Sequence, residues 1–206
     1  MFDSRLRPMI DPALQALATR LQIWGMTANA LTLLGMVIGI LSGALVAYEH
    51  YLAGLVLVLI NRLLDGLDGA LARRAGPTDF GGYLDIVADF VFYVSVPLGF
   101  GLADPENLLP ALALVASFTL TGISFLAFAA IASKRGLETR AHGPKSFFYS
   151  TGIAEGAETI LVFVLMCIWP VWFAVLAYFF AGLCFLTVIQ RSILARLTFR
   201  APADRA

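Results

Sequence analysis

Residues 63–89 read LLDGLDGALARRAGPTDFGGYLDIVAD and place Asp65, Asp68, Asp85 and Asp89 within an otherwise apolar part of the chain. An acidic residue at the centre of a membrane span costs roughly 2.5–3.5 kcal/mol on insertion scales, and less near the interface. Four together add mutual repulsion. Such a cluster needs either compensating partners or a chemical use, and the spacing of the acids helps to separate the two.

The surrounding sequence sets the class. Of 206 residues, 60% are hydrophobic and 14% charged, which is too apolar for an ordinary soluble domain. A helix crosses the hydrocarbon core in about 20 residues, and six runs are candidates: 27–47, 51–72, 82–102, 108–131, 147–167 and 172–194. Backbone polar groups in lipid must be satisfied within their own segment. The expected fold is therefore all-α, a single membrane domain over 1–206. It comprises a helix at 1–24, a bundle of six transmembrane helices over 27–194 and a tail at 195–206. Residues 1–20 lack an apolar core followed by a small-residue cleavage site, so no cleavable signal is expected.

In the first helix Leu6, Ile10, Leu14, Leu17 and Leu21 recur every three or four residues, with Asp3, Arg7, Asp11, Gln15 and Arg20 between them. That pattern suits an amphipathic helix in the inner membrane interface, or equally one packed on the bundle. Net charge is zero, but 13 of the 14 Lys and Arg residues fall in the segments that are internal if the N-terminus is internal; Arg62 lies within a span. The bias predicts both termini on the cytoplasmic side. No nucleic-acid partner is expected. Cys167 and Cys184 read as apolar fillers, with no disulfide or zinc framework.

Asp65 and Asp68 are three apart and Asp85 and Asp89 four apart, so each pair lies on one helix face. Gly76-Pro77 breaks the helix between them, which predicts an antiparallel hairpin. Asp65 and Asp89 are each twelve residues from Pro77, while Asp68 and Asp85 are nine and eight away. At a rise of about 1.5 Å per residue, the acids form two facing pairs at two depths. Oxygen ligands without His or Cys suit a hard divalent ion, Mg2+ or Mn2+. Two such ions would offset the charge, and Gly66, Gly69, Ala72, Gly81 and Gly82 leave room beside them. The competing expectation is that the acids pair with Arg62, Arg73 and Arg74 as buried salt bridges.

Asp65-x-x-Asp68-Gly69-x-x-Ala72-Arg73, followed by Gly81-x-x-x-Asp85-x-x-x-Asp89, closely resembles the signature of the CDP-alcohol phosphatidyltransferases at all eight fixed positions. The MTANALT segment near Thr27 and Asn29 resembles the start of that family's first span. The link from Arg73 to Gly81 is one residue shorter than in many members, a difference confined to the hairpin loop. The resemblance implies that Asp65, Asp68, Asp85 and Asp89 hold the metals and that Asp89 also takes the proton of the acceptor hydroxyl. It implies that Gly69, Ala72 and Arg73 contact the CDP portion of CDP-diacylglycerol, that CMP leaves, and that the protein is a homodimer in a bacterial inner membrane.

The acceptor is a small polar alcohol whose identity the sequence leaves open. Lys134, Arg135, Arg140, His142 and Lys145 follow the fourth span. Of these, Arg135, Arg140 and Lys145 suit a phosphorylated polyol such as glycerol 3-phosphate, or an inositol phosphate, although basic inner loops also arise from topology alone. Lys145, at the start of a span, resembles a basic residue near the acceptor in glycerophosphate-using members. Glu155 and Glu158, expected within the fifth span, suit the hydroxyls of a polyol, the ammonium of serine, ethanolamine or choline, or pairing with Arg62 or Arg191. Outside enzymes, a cation-coupled transporter would also bury acids, but it needs a path to the outer face.

Overall fold

The chain turns sharply where its glycines and prolines demand it. A computed structural model describes residues 3–136 and 152–200, with side chains from Asp11 onward. Among these residues are seven α-helices and no strand: α1 (Asp3–Ile23), α2 (Ala28–Ala47), α3 (Tyr51–Ala75), α4 (Asp79–Ala103), α5 (Leu108–Lys134), α6 (Gly156–Ile168) and α7 (Phe173–Phe199).

The first corner follows from three residues. Gly25 adopts φ +77°, a left-handed conformation that other residues rarely reach. Its N–H donates to the Gln22 carbonyl, and the Met26 N–H donates to the Leu21 carbonyl, closing the last turn of α1. Thr27 then caps α2, its hydroxyl accepting from the Ala30 N–H at 3.2 Å. The second corner repeats the scheme: Gly76 sits at φ +94°, Pro77 cannot continue a helix, and the Thr78 hydroxyl accepts from the Gly81 N–H at 3.0 Å. Thus α3 and α4 form the hairpin that carries the four aspartates.

Helix α2 packs against both arms of that hairpin. Its approach to α4 is backbone to backbone. A Cβ on Gly43 would collide with the Ser95 carbonyl, and one on Gly99 would collide with the Gly43 carbonyl. Small residues of this kind bring membrane helices together where no hydrophobic effect assists. Beyond them an aromatic core joins α4 to the later helices. Phe100 stacks on Phe173 at 4.4 Å, and Phe118 meets both Phe163 and Phe180 edge-on.

Large apolar side chains such as Leu41, Leu112, Ile123, Phe179 and Leu186 remain exposed along α2, α5 and α7, a surface suited to lipid rather than water. Four segments are long and apolar enough to cross a membrane: Ala28–Ala47, Asp79–Ala103, Pro105–Lys134 and Pro170–Phe199. The sequence expectation was six. Helix α3 is long enough, but Arg62, Asp65 and Asp68 interrupt its apolar character. In the fifth expected run, residues 147–151 lie outside the described residues, and α6 begins only at Gly156.

Helix α1 packs on the C-terminal half of α3. Ala18 is fully buried with Leu67, Ala70 and Leu71, flanked by Leu14 and Leu21, whereas Leu17 is 40% exposed. Packing on the bundle, one of the two uses expected of this amphipathic helix, is therefore present.

The glycine contact gives a test of the α2–α4 crossing. Gly99→Ala forces the two backbones apart and is expected to lower the melting temperature in detergent by about 5 °C. Gly182→Ala, in α7 with nothing within 4 Å of its new Cβ, should leave it unchanged.

Candidate active site: a carboxylate pocket on the α3–α4 hairpin

All four aspartates line one pocket between α2, α3 and α4, together with Thr32, Gly35, Asn61 and Arg62. One oxygen each from Asp65, Asp68 and Asp85 lies within 4.8 Å of the other two. Asp68 is 5% exposed, whereas Asp85 faces the open side. The Thr32 hydroxyl donates to Asp68 Oδ2 at 2.6 Å while also reaching the Ala28 carbonyl, which fixes that carboxylate against α2.

Asp89 is engaged differently. Arg62, one turn before Asp65 on α3, sets its NH1 3.0 Å from Asp89 Oδ1 and 3.7 Å from Asp65 Oδ2. Its Nε–H donates to Asn61 Oδ1 at 2.8 Å, and Asn61 Nδ2 donates to the Gly35 carbonyl at 2.7 Å. Of the three arginines expected as salt-bridge partners of the acids, Arg62 reaches them. Arg73 lies 3.6 Å from Asp11 of α1, and Arg74 donates to Gln22 at 3.2 Å.

The small residues divide as well. A Cβ on Gly69 would meet only Arg73 NH1, at 3.3 Å, so the α3 face bearing Gly69, Ala72 and Arg73 is open. Gly66 is not open, because Leu14 of α1 packs onto it, 3.0 Å from where a Cβ would stand. Gly81 lies close to Asn29 and Thr78.

Three of the residues assigned to the acceptor, Arg135, Glu155 and Glu158, are among those described. Arg135 ends α5 with its guanidinium 5.4 Å from the Phe199 ring. Arg140, His142 and Lys145 lie outside the described residues. Glu155 and Glu158 stand at the start of α6. Glu155 is the N-cap of α6: the Gly152 N–H donates to its Oε1 at 3.0 Å, and its own N–H donates to Glu158 Oε2 at 3.2 Å. This reciprocal capping box satisfies two backbone donors at the helix start, those of Glu155 and Glu158.

The donor set suits a divalent cation. Three carboxylate oxygens converge without nitrogen or sulfur, as a hard ion requires. Sequence reasoning missed Thr32. Its signal was a hydroxyl in an otherwise apolar run, but the partner lies 36 residues away.

The comparisons agree with this geometry. The family model for CDP-alcohol phosphatidyltransferase matches residues 25–189, and the chain belongs to that family of membrane phospholipid-synthesising transferases. It is 49% identical over 98% of both chains to the protein named inner membrane protein YnjF of Escherichia coli. It is 30% identical to the archaetidylinositol phosphate synthase of Pyrococcus horikoshii, covering 91% of this chain and 93% of that one. Among solved structures, Mycobacterium tuberculosis phosphatidylinositol phosphate synthase with CDP-DAG bound superposes with a TM-score of 0.70 at 23% identity, covering 89% of this chain and 93% of that one. The same enzyme with manganese and citrate gives 0.70 at 24% identity, covering 88% of each chain. Family membership puts the chain on the enzyme side of the two classes that the buried acids allowed.

Losing a partner that orients a metal ligand typically costs about 10–100-fold in metal affinity or activity. Thr32→Val is therefore expected to weaken Mn2+ binding by at least about tenfold, read by titration in detergent. Thr32→Ser keeps the donor and should bind as the unmodified chain does.

Proposed function

We propose that this protein transfers a phosphatidyl group from CDP-diacylglycerol to a hydroxyl of a phosphorylated polyol, with release of CMP. The observation that carries the reading is the convergence of Asp65, Asp68 and Asp85 within 4.8 Å beside the open Gly69 face. These three residues would hold Mg2+ or Mn2+. A divalent ion bound there supplies positive charge for the phosphate oxygens and makes a nearby hydroxyl more acidic.

The chain's own residues supply the rest. Gly69 and Ala72 let the cytidine diphosphate approach the backbone of α3, and Arg73 at the same helix end offers it a cation. Asp89 accepts the proton of the acceptor hydroxyl. The acceptor oxygen forms a bond to the phosphorus that bears diacylglycerol, the bond from that phosphorus to the bridging oxygen breaks, and CMP leaves with that oxygen. The donor's acyl chains give a reason to house the reaction in a bilayer. Six passes with both termini on the cytoplasmic side fit the bias in Lys and Arg, with the hairpin loop and the segment after α5 on the same face as CMP.

Two observations support a phosphorylated acceptor. Lys134, Arg135, Arg140 and Lys145 cluster in the sequence from the end of α5 onward. The full-length archaeal relatives, at 30% and 29% identity, are named for the synthesis of archaetidylinositol phosphate. Within the phosphorylated polyols this favours inositol phosphate over glycerol 3-phosphate. The rival ammonium reading is weakened because Glu155 and Glu158 both serve the cap of α6.

Asp68→Asn and Asp85→Asn should each abolish divalent-dependent CMP release while the elution profile and helix content stay unchanged. Full activity in either variant, or in protein freed of metal by EDTA, removes the reading. Charge-assisted contacts are worth roughly 1.5–3 kcal/mol each. Lys145→Ala should accordingly raise KM for the acceptor about ten- to hundredfold while leaving that for CDP-diacylglycerol near its original value. An acceptor panel in which only serine, ethanolamine or choline supports turnover refutes the phosphorylated acceptor.

A further inference from the structure

We propose that Arg62 is a positioning residue that occupies the place of a second cation between Asp65 and Asp89. It leaves the divalent ion to Asp65, Asp68 and Asp85 and keeps Asp89 for the acceptor hydroxyl. The inference rests on the phosphatidyl-transfer reading and assigns the division of labour among its four acids.

Spacing alone suggests two equivalent facing pairs, each able to share an ion, but the structure makes the pairs unequal. Arg62 NH1 lies 3.0 Å from Asp89 Oδ1 and 3.7 Å from Asp65 Oδ2, so the guanidinium bridges the deeper pair. A metal ion shared by those two carboxylates would compete for the same oxygens. The remaining acids do not need Asp89 to form a set, since Asp65, Asp68 and Asp85 already converge.

The guanidinium is also held from several sides. Its Nε–H is bound to Asn61 Oδ1, and Asn61 is anchored in turn on the Gly35 carbonyl of α2. Its central carbon lies 4.3 Å from the centre of the Phe92 ring and 5.7 Å from that of Tyr93. Ion pair, hydrogen bond and ring contact fix a planar fork in one orientation, which a lysine at the same position cannot reproduce. Simple charge compensation would need none of this orientation. Asp89 is thus restrained at one oxygen by a group that, unlike a metal ion, cannot leave the protein.

The test counts Mn2+ bound to the purified full-length chain in detergent, with free Mn2+ read by electron paramagnetic resonance, alongside CMP release. The unmodified chain should bind one Mn2+ in the absence of donor. Arg62→Gln should bind a second ion or hold the first at least about tenfold tighter, because a competing positive charge has gone. Its kcat should fall while KM for CDP-diacylglycerol stays within about threefold. Arg62→Lys should keep the count at one and recover part of kcat. Asp89→Asn should bind Mn2+ within about twofold of the unmodified chain, unlike Asp85→Asn. Two ions in the unmodified chain, an unchanged count and affinity in Arg62→Gln, or equal losses in Asp89→Asn and Asp85→Asn each overturn the proposal. If Arg62→Gln does not yield folded protein, the count in the unmodified chain and the Asp89→Asn comparison decide. Absence of Mn2+ binding altogether sinks the transferase reading itself, whereas normal binding without the Arg62 effect sinks only this inference.

Discussion

Mutual repulsion among carboxylates in a poorly screened setting governs how the rest of this chain is arranged. Asp65, Asp68, Asp85 and Asp89 border one pocket, and the groups around them answer that repulsion separately. Thr32 donates to Asp68, and Arg62 to Asp89. Both partners depend on α2: Thr32 belongs to it, and the Gly35 carbonyl orients the asparagine that orients Arg62. Helix α2 comes close enough to serve because Gly43 and Gly99 let its backbone meet that of α4. The small residues of the crossing and the charges of the pocket are parts of one solution.

Much of this could be read in advance where a property is set locally. Helices α2, α4, α5 and α7 begin and end within a few residues of the apolar runs, because the breaks are written in turn chemistry such as Gly76-Pro77 and Gly25. Counting from Pro77 brought the acids together because helical rise is constant. What escaped depends on rotation and on neighbours distant in sequence. Nothing near Thr32 indicates that its hydroxyl faces Asp68. Gly66 and Gly69 look alike in the sequence, yet one receives Leu14 and the other stays open. The apolar run extends across Glu155 and Glu158, which by count places them inside a span. A glutamate three residues into a helix, before TILVF, is equally the mark of a helix start.

Helix α1 links two of these findings. Its Leu14 fills the face of Gly66, while Asp11 and Gln22 draw Arg73 and Arg74 to the same side. An exposed ion pair of this kind contributes little stability, at most about 1 kcal/mol. Its effect is directional, holding the basic end of α3 away from the four acids and leaving Arg62 as the arginine that meets them. Charge is thereby sorted along one helix, with one arginine at depth and two at the rim.

The contacts made by α4 on its two sides differ in kind. Towards α2 they are backbone against backbone at glycine, where even a methyl group has no room; towards α5 they run through side chains, Phe90 over Gly122 and Tyr93 against Phe118. Substitution at contacts of the first kind is costly, whereas those of the second can be re-cut by exchanging one side chain for another. All four acids line the pocket bordered by α2, α3 and α4, on the side where exchange is costly. Inheritance can therefore act on the two halves at different rates. Side chains facing α5 can change over generations while the glycine crossing that positions the acids passes on intact.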